Sequence, residues 1–317
     1  MPALSRGGCI AVALWLALAG CGDRSAPAVS AAAPVGFDGA RAFRDLEALV
    51  RIGARTAGSN GAEQTRALIR ERLRQAGWLV EAQTFRAAPP GGKPVAMANL
   101  VAQRSAAASP VLLITHFDTK SFADQTFVGA NDGASGVAVL LELARATAGD
   151  QPPLPLQLAF VDGEEAFGPT IDADDGLYGS KALAKRMADD GELAKLRAVI
   201  LVDMVGDRDL NLALDFGSSA ELRDRFDAAA TKLGVAPLID TRQAMSVIDD
   251  HTPFQERGVR EILALIDFQY GARVSPGPRW HTSADDLEGV SAESLGAFGR
   301  VLVQMLRDLG AAPPGAS

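Results

Sequence analysis

The chain has 317 residues, of which 48% are hydrophobic, and its net charge is −8 at pH 7. This apolar content is enough for one large core, and α/β enzymes of roughly this length are commonly a single domain. Lysine and arginine are dispersed and form no basic stripe, which argues against a nucleic-acid partner.

The N-terminus has the composition of an export signal. Arg6 precedes an apolar stretch at residues 10–19 that is too short to cross a bilayer comfortably and ends in small residues. The sequence Leu-Ala-Gly-Cys at 18–21 resembles the bacterial lipoprotein box, which implies that Cys21 is the first mature residue and is acylated. An ordinary cleaved signal is the alternative. Gly22 implies, by the same resemblance, sorting to the outer membrane, facing the periplasm.

We therefore predict four segments. Residues 1–20 are a lipoprotein signal peptide, and residues 21–36, rich in Ala, Pro and Ser, are a flexible tether to the membrane. Residues 37–310 are a single catalytic domain, and residues 311–317 are a disordered tail.

Apolar strand-like runs alternate with amphipathic helical ones through residues 37–310, which is typical of α/β layers around a mostly parallel sheet. The pattern predicts helices near residues 39–51, 61–76, 136–147, 180–188, 220–233 and 292–309. It predicts strands near residues 79–85, 98–104, 111–116, 156–161, 198–204 and 261–266. A Pro- and Gly-containing connection at 89–93 predicts antiparallel pairing of the first two strands at one side of the sheet.

Residues that can carry chemistry follow several of these strands. His116 and Asp118 end one strand two residues apart, so an extended chain points both to one face, where the carboxylate can tether the imidazole. Asp132 precedes a helix, where it either caps the helix or ligates a metal. Glu164 and Glu165 follow another strand, which allows one to bind a metal while the other carries a proton.

Two further acidic positions and one histidine complete the set. Asp203 interrupts an apolar run, where a charge needs a partner, a metal or a proton. Asp249 and Asp250 precede His251-Thr-Pro-Phe, which is either a helix start or part of the site. His281 follows a Gly- and Pro-rich loop, beside a tryptophan that can wall a pocket.

Taken together, these side chains form a nitrogen and oxygen ligand set without a thiolate, which zinc accepts at a catalytic centre with an open position. Its members are His116, Asp132, Glu165, Asp203 and His281. In contrast, we expect residues 172–175 to be a solvated run of charge and Lys120 to face water.

Across residues 37–309 these motifs resemble the zinc aminopeptidase and glutaminyl cyclase superfamily. The matching segments are 116–120, 127–136, 161–167, 177–180, 201–206, 249–254 and 280–282. The resemblance implies the phosphorylase/hydrolase-like fold of zinc exopeptidases, a three-layer α/β/α sandwich whose mixed, mostly parallel sheet holds zinc at its C-terminal edge.

An insertion favours the cyclase side of this resemblance. Aminopeptidases typically continue almost directly from the Glu-Glu pair into Gly-Leu-x-Gly-Ser, whereas here ten residues, 166–175, intervene, as in glutaminyl cyclases. The chain departs from animal cyclases in two ways. It has Gly168, Pro169 and Thr170 where they place a tryptophan, and it lacks their disulfide.

The resemblance implies a zinc-dependent glutaminyl-peptide cyclotransferase that acts on peptide or protein N-termini, with a monomer as the default state. One zinc is expected, held by Asp132, Glu165 and His281, and Glu164 carries the proton. The other implied roles are proton positioning by Asp203 and Asp250, with Asp249 as the substitute, and pocket lining by Trp280 and Phe167.

Two alternatives remain open from the sequence. The first is an aminopeptidase with two zinc ions, in which Asp132 bridges, His116 and Asp203 hold one ion, and Glu165 and His281 hold the other. The second is a non-catalytic, peptide-binding lipoprotein that keeps only the fold.

Overall fold

The computed structural model describes residues 36–104, 109–148 and 154–311. The predicted signal peptide, the acylation of Cys21, most of the tether and the tail after residue 311 lie outside the described residues and stay predictions. Within the described part, no helix is both long and apolar enough to cross a bilayer.

A six-stranded sheet forms the centre of the described structure. Its strands are β1 (Leu79–Ala87), β2 (Val95–Gln103), β3 (Val111–His116), β4 (Leu156–Val161), β5 (Ala198–Asp203) and β8 (Ile262–Ile266). They lie in the order β1-β2-β4-β3-β5-β8. β1 pairs antiparallel with β2, and β2 with β4, whereas β4, β3, β5 and β8 run parallel.

Helices cover both faces of this sheet. The parallel strands β3, β4, β5 and β8 are buried at every residue, so both of their faces must be shielded from water. They are α1 (Gly39–Ile52), α2 (Asn60–Gln75), α3 (Ser135–Ala146), α4 (Tyr178–Asp189), α5 (Ala220–Lys232), α6 (Thr252–Glu256) and α7 (Ala292–Ala311). Alternate residues of β3 divide between two cores: Val111 and Leu113 pack with α1, α2, α3, α5 and α7, while Leu112 and Ile114 pack with α4 and α6. The predicted three-layer α/β/α sandwich with a mixed, mostly parallel sheet is thus confirmed.

The predicted elements are all present, and β3 and β4 have the predicted bounds. Two short strands were not predicted, β6 (Leu212–Asp215) and β7 (Ile239–Met245), which form a separate parallel pair. β7 carries Asp, Thr, Arg and Gln in succession and has only one buried residue, so its sequence lacks the alternation that marks a half-buried strand. The helix reading of Thr252-Pro253-Phe254 is confirmed, with proline in the first turn of α6.

His251, just before α6, is completely buried, and neither ring nitrogen has a hydrogen-bond partner among the described residues. Burial lowers the pKa of this imidazole to about 4, and the charge of Asp215 only partly opposes the shift. Between about pH 6.5 and about pH 4, the imidazole of His251 is therefore protonated in the unfolded chain but neutral in the folded chain. Stability falls as the pH falls through this window.

We expect the free energy of unfolding to drop by up to about 3 kcal/mol across that window, at 1.36 kcal/mol per pKa unit. Urea unfolding at about pH 7 and about pH 4.5 measures the drop, and His251→Gln provides the reference because it cannot be protonated. An equal drop in the wild type and the variant would contradict the assignment to His251.

Candidate functional site

The predicted site residues meet at the carboxyl ends of three adjacent strands. His116 ends β3, Asp203 ends β5, and Glu164 and Glu165 follow β4 closely. Because β4, β3 and β5 are parallel neighbours, their carboxyl ends lie at one edge, where open α/β sheets form ligand crevices.

Two groups of potential metal ligands lie at this edge and share Asp132. In the first, His116 Nε2 lies 3.2 Å from Asp132 Oδ1 and 3.2 Å from Asp203 Oδ1. In the second, His281 Nε2 lies 3.4 Å from Asp132 Oδ2 and 3.3 Å from Glu165 Oε1. Each oxygen of Asp132 thus faces one group, and the structure brings together all five side chains that the sequence singled out as ligands.

Asp132 does not cap the helix that follows it. The N-cap of α3 is Ala134, without a side-chain hydrogen bond, so the capping alternative is wrong. Instead, the buried carboxylate of Asp285 accepts the backbone N–H groups of Asn131 at 2.7 Å and Asp132 at 3.1 Å, and the Tyr270 hydroxyl at 2.8 Å. Sequence reasoning missed Asp285, whose position shortly after the Trp280-His281 motif was its one visible signal.

Asp118 holds the pair of glutamates. Its two oxygens accept the backbone N–H groups of Glu164 at 3.0 Å and Glu165 at 3.2 Å. Its Oδ1 also lies 3.6 Å from His116 Nδ1, near the imidazole as expected but beyond hydrogen-bond length. The carboxylate therefore fixes the backbone from which the two glutamates diverge.

Aromatic rings hold His281 in place. Trp280 stacks on the imidazole at 3.9 Å between ring centroids, and Phe122 and Phe127 each meet it edge-on at 5.9 Å. His281 also has a φ of +56°, a left-handed conformation that is rare for a residue other than glycine. Sequence reasoning identified the tryptophan but neither phenylalanine.

Lys120 is buried, and the expectation that it faces water is wrong. Its Nζ donates to the Ala166 carbonyl at 2.9 Å and lies 3.6 Å from Glu165 Oε2. A lysine loses its hydration when buried, and here the carbonyl and the carboxylate replace it. Lys120 thus braces the start of the segment that follows the glutamate pair.

The site concentrates negative charge. Burial raises the pKa of Glu164 well above its ordinary value; His116 opposes the shift, and the charges of Glu165 and Asp249 add to it. Burial also raises the pKa of Asp249, with Asp203 adding to the shift. For His281, the carboxylates of Asp132 and Glu165 overcome burial and raise the pKa to about 9.

This donor set fits a divalent cation. Glu165 Oε1, the oxygen that faces His281 in the second group of ligands, is buried and accepts no hydrogen bond from any described residue. Nitrogen and oxygen donors without sulfur suit zinc at a catalytic centre. A bound dication would displace the proton from His281 and would offset the excess negative charge of the carboxylates.

A cavity of about 220 Å³ opens beside these residues. As expected, Trp280 lines it, as do Glu164, Glu165 and Asp203. Its apolar wall includes residues that sequence reasoning missed: Ile171, Met204, Ile248, Ile266 and Phe268.

Two predicted residues stand elsewhere. Phe167 is not among the lining residues; it is 39% exposed, and its ring packs against Tyr178 at 5.8 Å between centroids. Of the aspartate pair, Asp249 lines the cavity, whereas Asp250 is completely buried and does not. Asp249, the substitute named from the sequence, is therefore the one of the pair that is placed at the cavity.

Residues 98–306 match the model of peptidase family M28. The glutaminyl-peptide cyclotransferase of Boiga irregularis is 32% identical over 284 residues, covering 77% of this chain and 74% of that protein. The one from Bos taurus is 31% identical, covering 77% and 75%.

Solved structures of glutaminyl cyclases and of a zinc exopeptidase are also similar to this chain. An Acidobacteriales bacterium glutaminyl cyclase superposes with a TM-score of 0.80 at 33% identity, covering 90% of this chain and 99% of that one. A Porphyromonas gingivalis glutaminyl cyclase gives 0.78 at 26% identity, covering 86% and 99%. A Zn-dependent exopeptidase from Parabacteroides distasonis gives 0.78 at 22% identity, covering 87% and 100%, which shows the shared fold alone. The chain therefore belongs to peptidase family M28.

Proposed function

We propose that this protein is a zinc-dependent glutaminyl-peptide cyclotransferase, which converts N-terminal glutamine of peptides to pyroglutamate and releases ammonia. The observation that carries the proposal is the inserted loop. Its residues Pro169, Thr170 and Ile171 line the same cavity as Glu164, as expected of an insertion that narrows the pocket around one side chain. The names of the relatives support the same activity.

Asp132, Glu165 and His281 would hold the zinc ion, which would supply Lewis-acid polarisation of the γ-carbonyl of the substrate glutamine. We propose a single ion. His116 Nε2 lies 3.2 Å from Oδ1 of both Asp132 and Asp203, so the imidazole alone can connect these two carboxylates. A protonated His116 would pair with Asp132 and Asp203 without a second metal.

Glu164 is the proton carrier in this proposal. The α-amine nitrogen attacks the γ-carbonyl carbon, so one C–N bond forms while the amine gives a proton to Glu164. The bond from that carbon to the amide nitrogen then breaks, and Glu164 returns the proton to the departing nitrogen, which leaves as ammonia. A carboxyl with a raised pKa suits both halves of this transfer.

Asp203 and Asp249 would share or position the proton. Both line the cavity with Glu164, and the charge of Asp203 is a major cause of the raised pKa of Asp249. Carboxylates that interact this strongly cannot all be ionised in a buried site, so a proton is shared between them. Trp280 and Phe268 would exclude water from the reacting atoms.

The rival activity is that of a two-zinc aminopeptidase, because the two ligand groups sharing Asp132 also suit it. Incubation with Gln-Ala and Leu-Ala separates the two. We expect ammonia from Gln-Ala and no free amino acid from either peptide. Release of leucine without ammonia would support the peptidase, and a metal-free, inactive wild type would support the non-catalytic alternative.

We also propose that the protein is exported and anchored in the outer membrane, facing the periplasm, through an acylated Cys21. This proposal depends on the apolar stretch at 10–19, on the Leu-Ala-Gly-Cys sequence at 18–21 and on Gly22. It is independent of the activity, since the tether would only hold the catalytic domain near the membrane.

A further inference from the structure

Residues 166–176 form a loop that contains neither helix nor strand and begins directly after Glu165. Three of its residues, Pro169, Thr170 and Ile171, form part of the cavity wall. Most of the loop is exposed, so apolar packing does little to hold it. Its conformation therefore depends on hydrogen bonds.

Asp175 accepts three of the hydrogen bonds within the loop, and Lys181 of α4 adds two more by donating to the carbonyls of Ala173 at 3.0 Å and Gly176 at 2.9 Å. Asp175 Oδ1 accepts the backbone N–H of Phe167 at 3.0 Å, and its Oδ2 accepts that of Gly168 at 2.7 Å. Its backbone carbonyl accepts the N–H of Asp172 at 2.9 Å. One residue near the end of the loop thus ties down both its beginning and its middle.

Asp175 is in turn held by helix α4. The hydroxyl of Tyr178, the first residue of α4, donates to Asp175 Oδ1 at 2.7 Å. Asp175 is only 5% exposed, so the expectation of a solvated charge run at 172–175 is wrong at this position. Burial opposes its ionisation, but the hydrogen bonds from Tyr178 and Gly168 lower its pKa below the ordinary value. Hydrogen bonds to an ionised carboxylate are stronger than neutral ones.

We propose that Asp175 and Tyr178 are positioning residues, a latch that holds the 166–176 loop as the cavity wall and thereby sets the affinity for the peptide substrate. This inference rests on the proposed function for the identity of that substrate. Neither residue is among those that line the cavity, so the latch acts through Pro169, Thr170 and Ile171.

The metal ligand next to the loop has its own support. Lys120 holds the Ala166 carbonyl, and Asp118 holds the backbone N–H of Glu165. Both contacts lie before the residues that Asp175 ties down. Loosening the latch should therefore free the cavity wall and leave the zinc ligands in place.

The test uses Tyr178→Phe, which removes only the hydroxyl, and Asp175→Asn, whose single amide oxygen can accept only one of the two backbone N–H groups and without the carboxylate charge. For each we expect KM for Gln-Ala to rise about tenfold, with kcat within about twofold of the wild type and zinc content unchanged. Chymotrypsin should cleave after Phe167 in the folded variants and spare the wild type.

Asp174→Asn is the matched control, because this neighbouring carboxylate is exposed and accepts no hydrogen bond from the described residues. It should behave as the wild type in every measurement. Unchanged KM in both latch variants, or a loss of kcat with KM unchanged, would overturn the proposal.

A binding measurement separates this inference from the proposed function. In a Glu164→Gln background, where turnover is removed, quenching of tryptophan fluorescence gives the Kd for Gln-Ala, since Trp280 lines the cavity. If the wild type binds the peptide without releasing ammonia, the proposed cyclase activity is disproved. A Kd that is about tenfold higher in Tyr178→Phe would still support the latch. Equal Kd values would overturn the latch whatever the activity.

Discussion

Glu164→Gln is expected to lower kcat by a factor of about 10²–10⁴, the usual contribution of a positioned general acid or base. Glutamine has nearly the same shape as glutamate but cannot accept and return a proton. Because Glu164 belongs to neither group of metal ligands, the variant should bind zinc as the wild type does. It should also fold normally, since it removes a buried carboxylate that crowds Glu165 and Asp249.

The measurement is ammonia release at saturating Gln-Ala, together with metal analysis of the same preparation. Glu165→Gln is the informative contrast, because its side chain is a member of the second ligand group. It should lose zinc as well as activity. If Glu164→Gln kept most of its kcat, or if it lost zinc, the division of roles between the two adjacent glutamates would be disproved.

Asp132→Asn is expected to abolish zinc binding and to lower kcat/KM by roughly a thousandfold or more, because the metal supplies several kcal/mol of charge stabilisation. Asp132 is the one side chain shared by both ligand groups. Asparagine keeps the backbone N–H that donates to Asp285, so the segment should stay in place. A loss of zinc and of activity would therefore result from the missing carboxylate of Asp132 and not from displacement of this segment.

Metal content per chain gives the result, and Asp203→Asn provides its control. Asp203 belongs only to the first group, so a single-zinc enzyme should keep its ion in this variant. A wild type with two ions, reduced to one in Asp203→Asn, would contradict the single-ion proposal and favour the aminopeptidase arrangement. Full zinc content in Asp132→Asn would contradict both the single-zinc and the two-zinc arrangement.

Much of the fold was predictable because buried parallel strands are marked by continuous apolar runs. The runs at 111–116 and 156–161 became β3 and β4 with unchanged bounds. The same rule placed His116, Glu164, Glu165 and Asp203 near one edge, since parallel strands bring their carboxyl ends together. β7 was missed because its polar sequence carries no such pattern.

Other features depended on contacts between residues distant in sequence. Lys120 and Asp175 looked like surface charges, but Lys120 is buried and donates to the Ala166 carbonyl, and Asp175 accepts backbone N–H groups of its own loop. Asp249 and Asp250 are adjacent and identical in type, so only the turn before α6 could decide which one lines the cavity.

The amino-acid sequence by itself determined the α/β layering and the five candidate ligands, because hydrophobic periodicity and the chemistry of side chains are local properties. Only the tertiary structure decided how one aspartate is divided between two ligand groups, which residues wall the cavity and how the inserted loop is held. Those depend on distances and burial, which arise when segments far apart in the chain pack together.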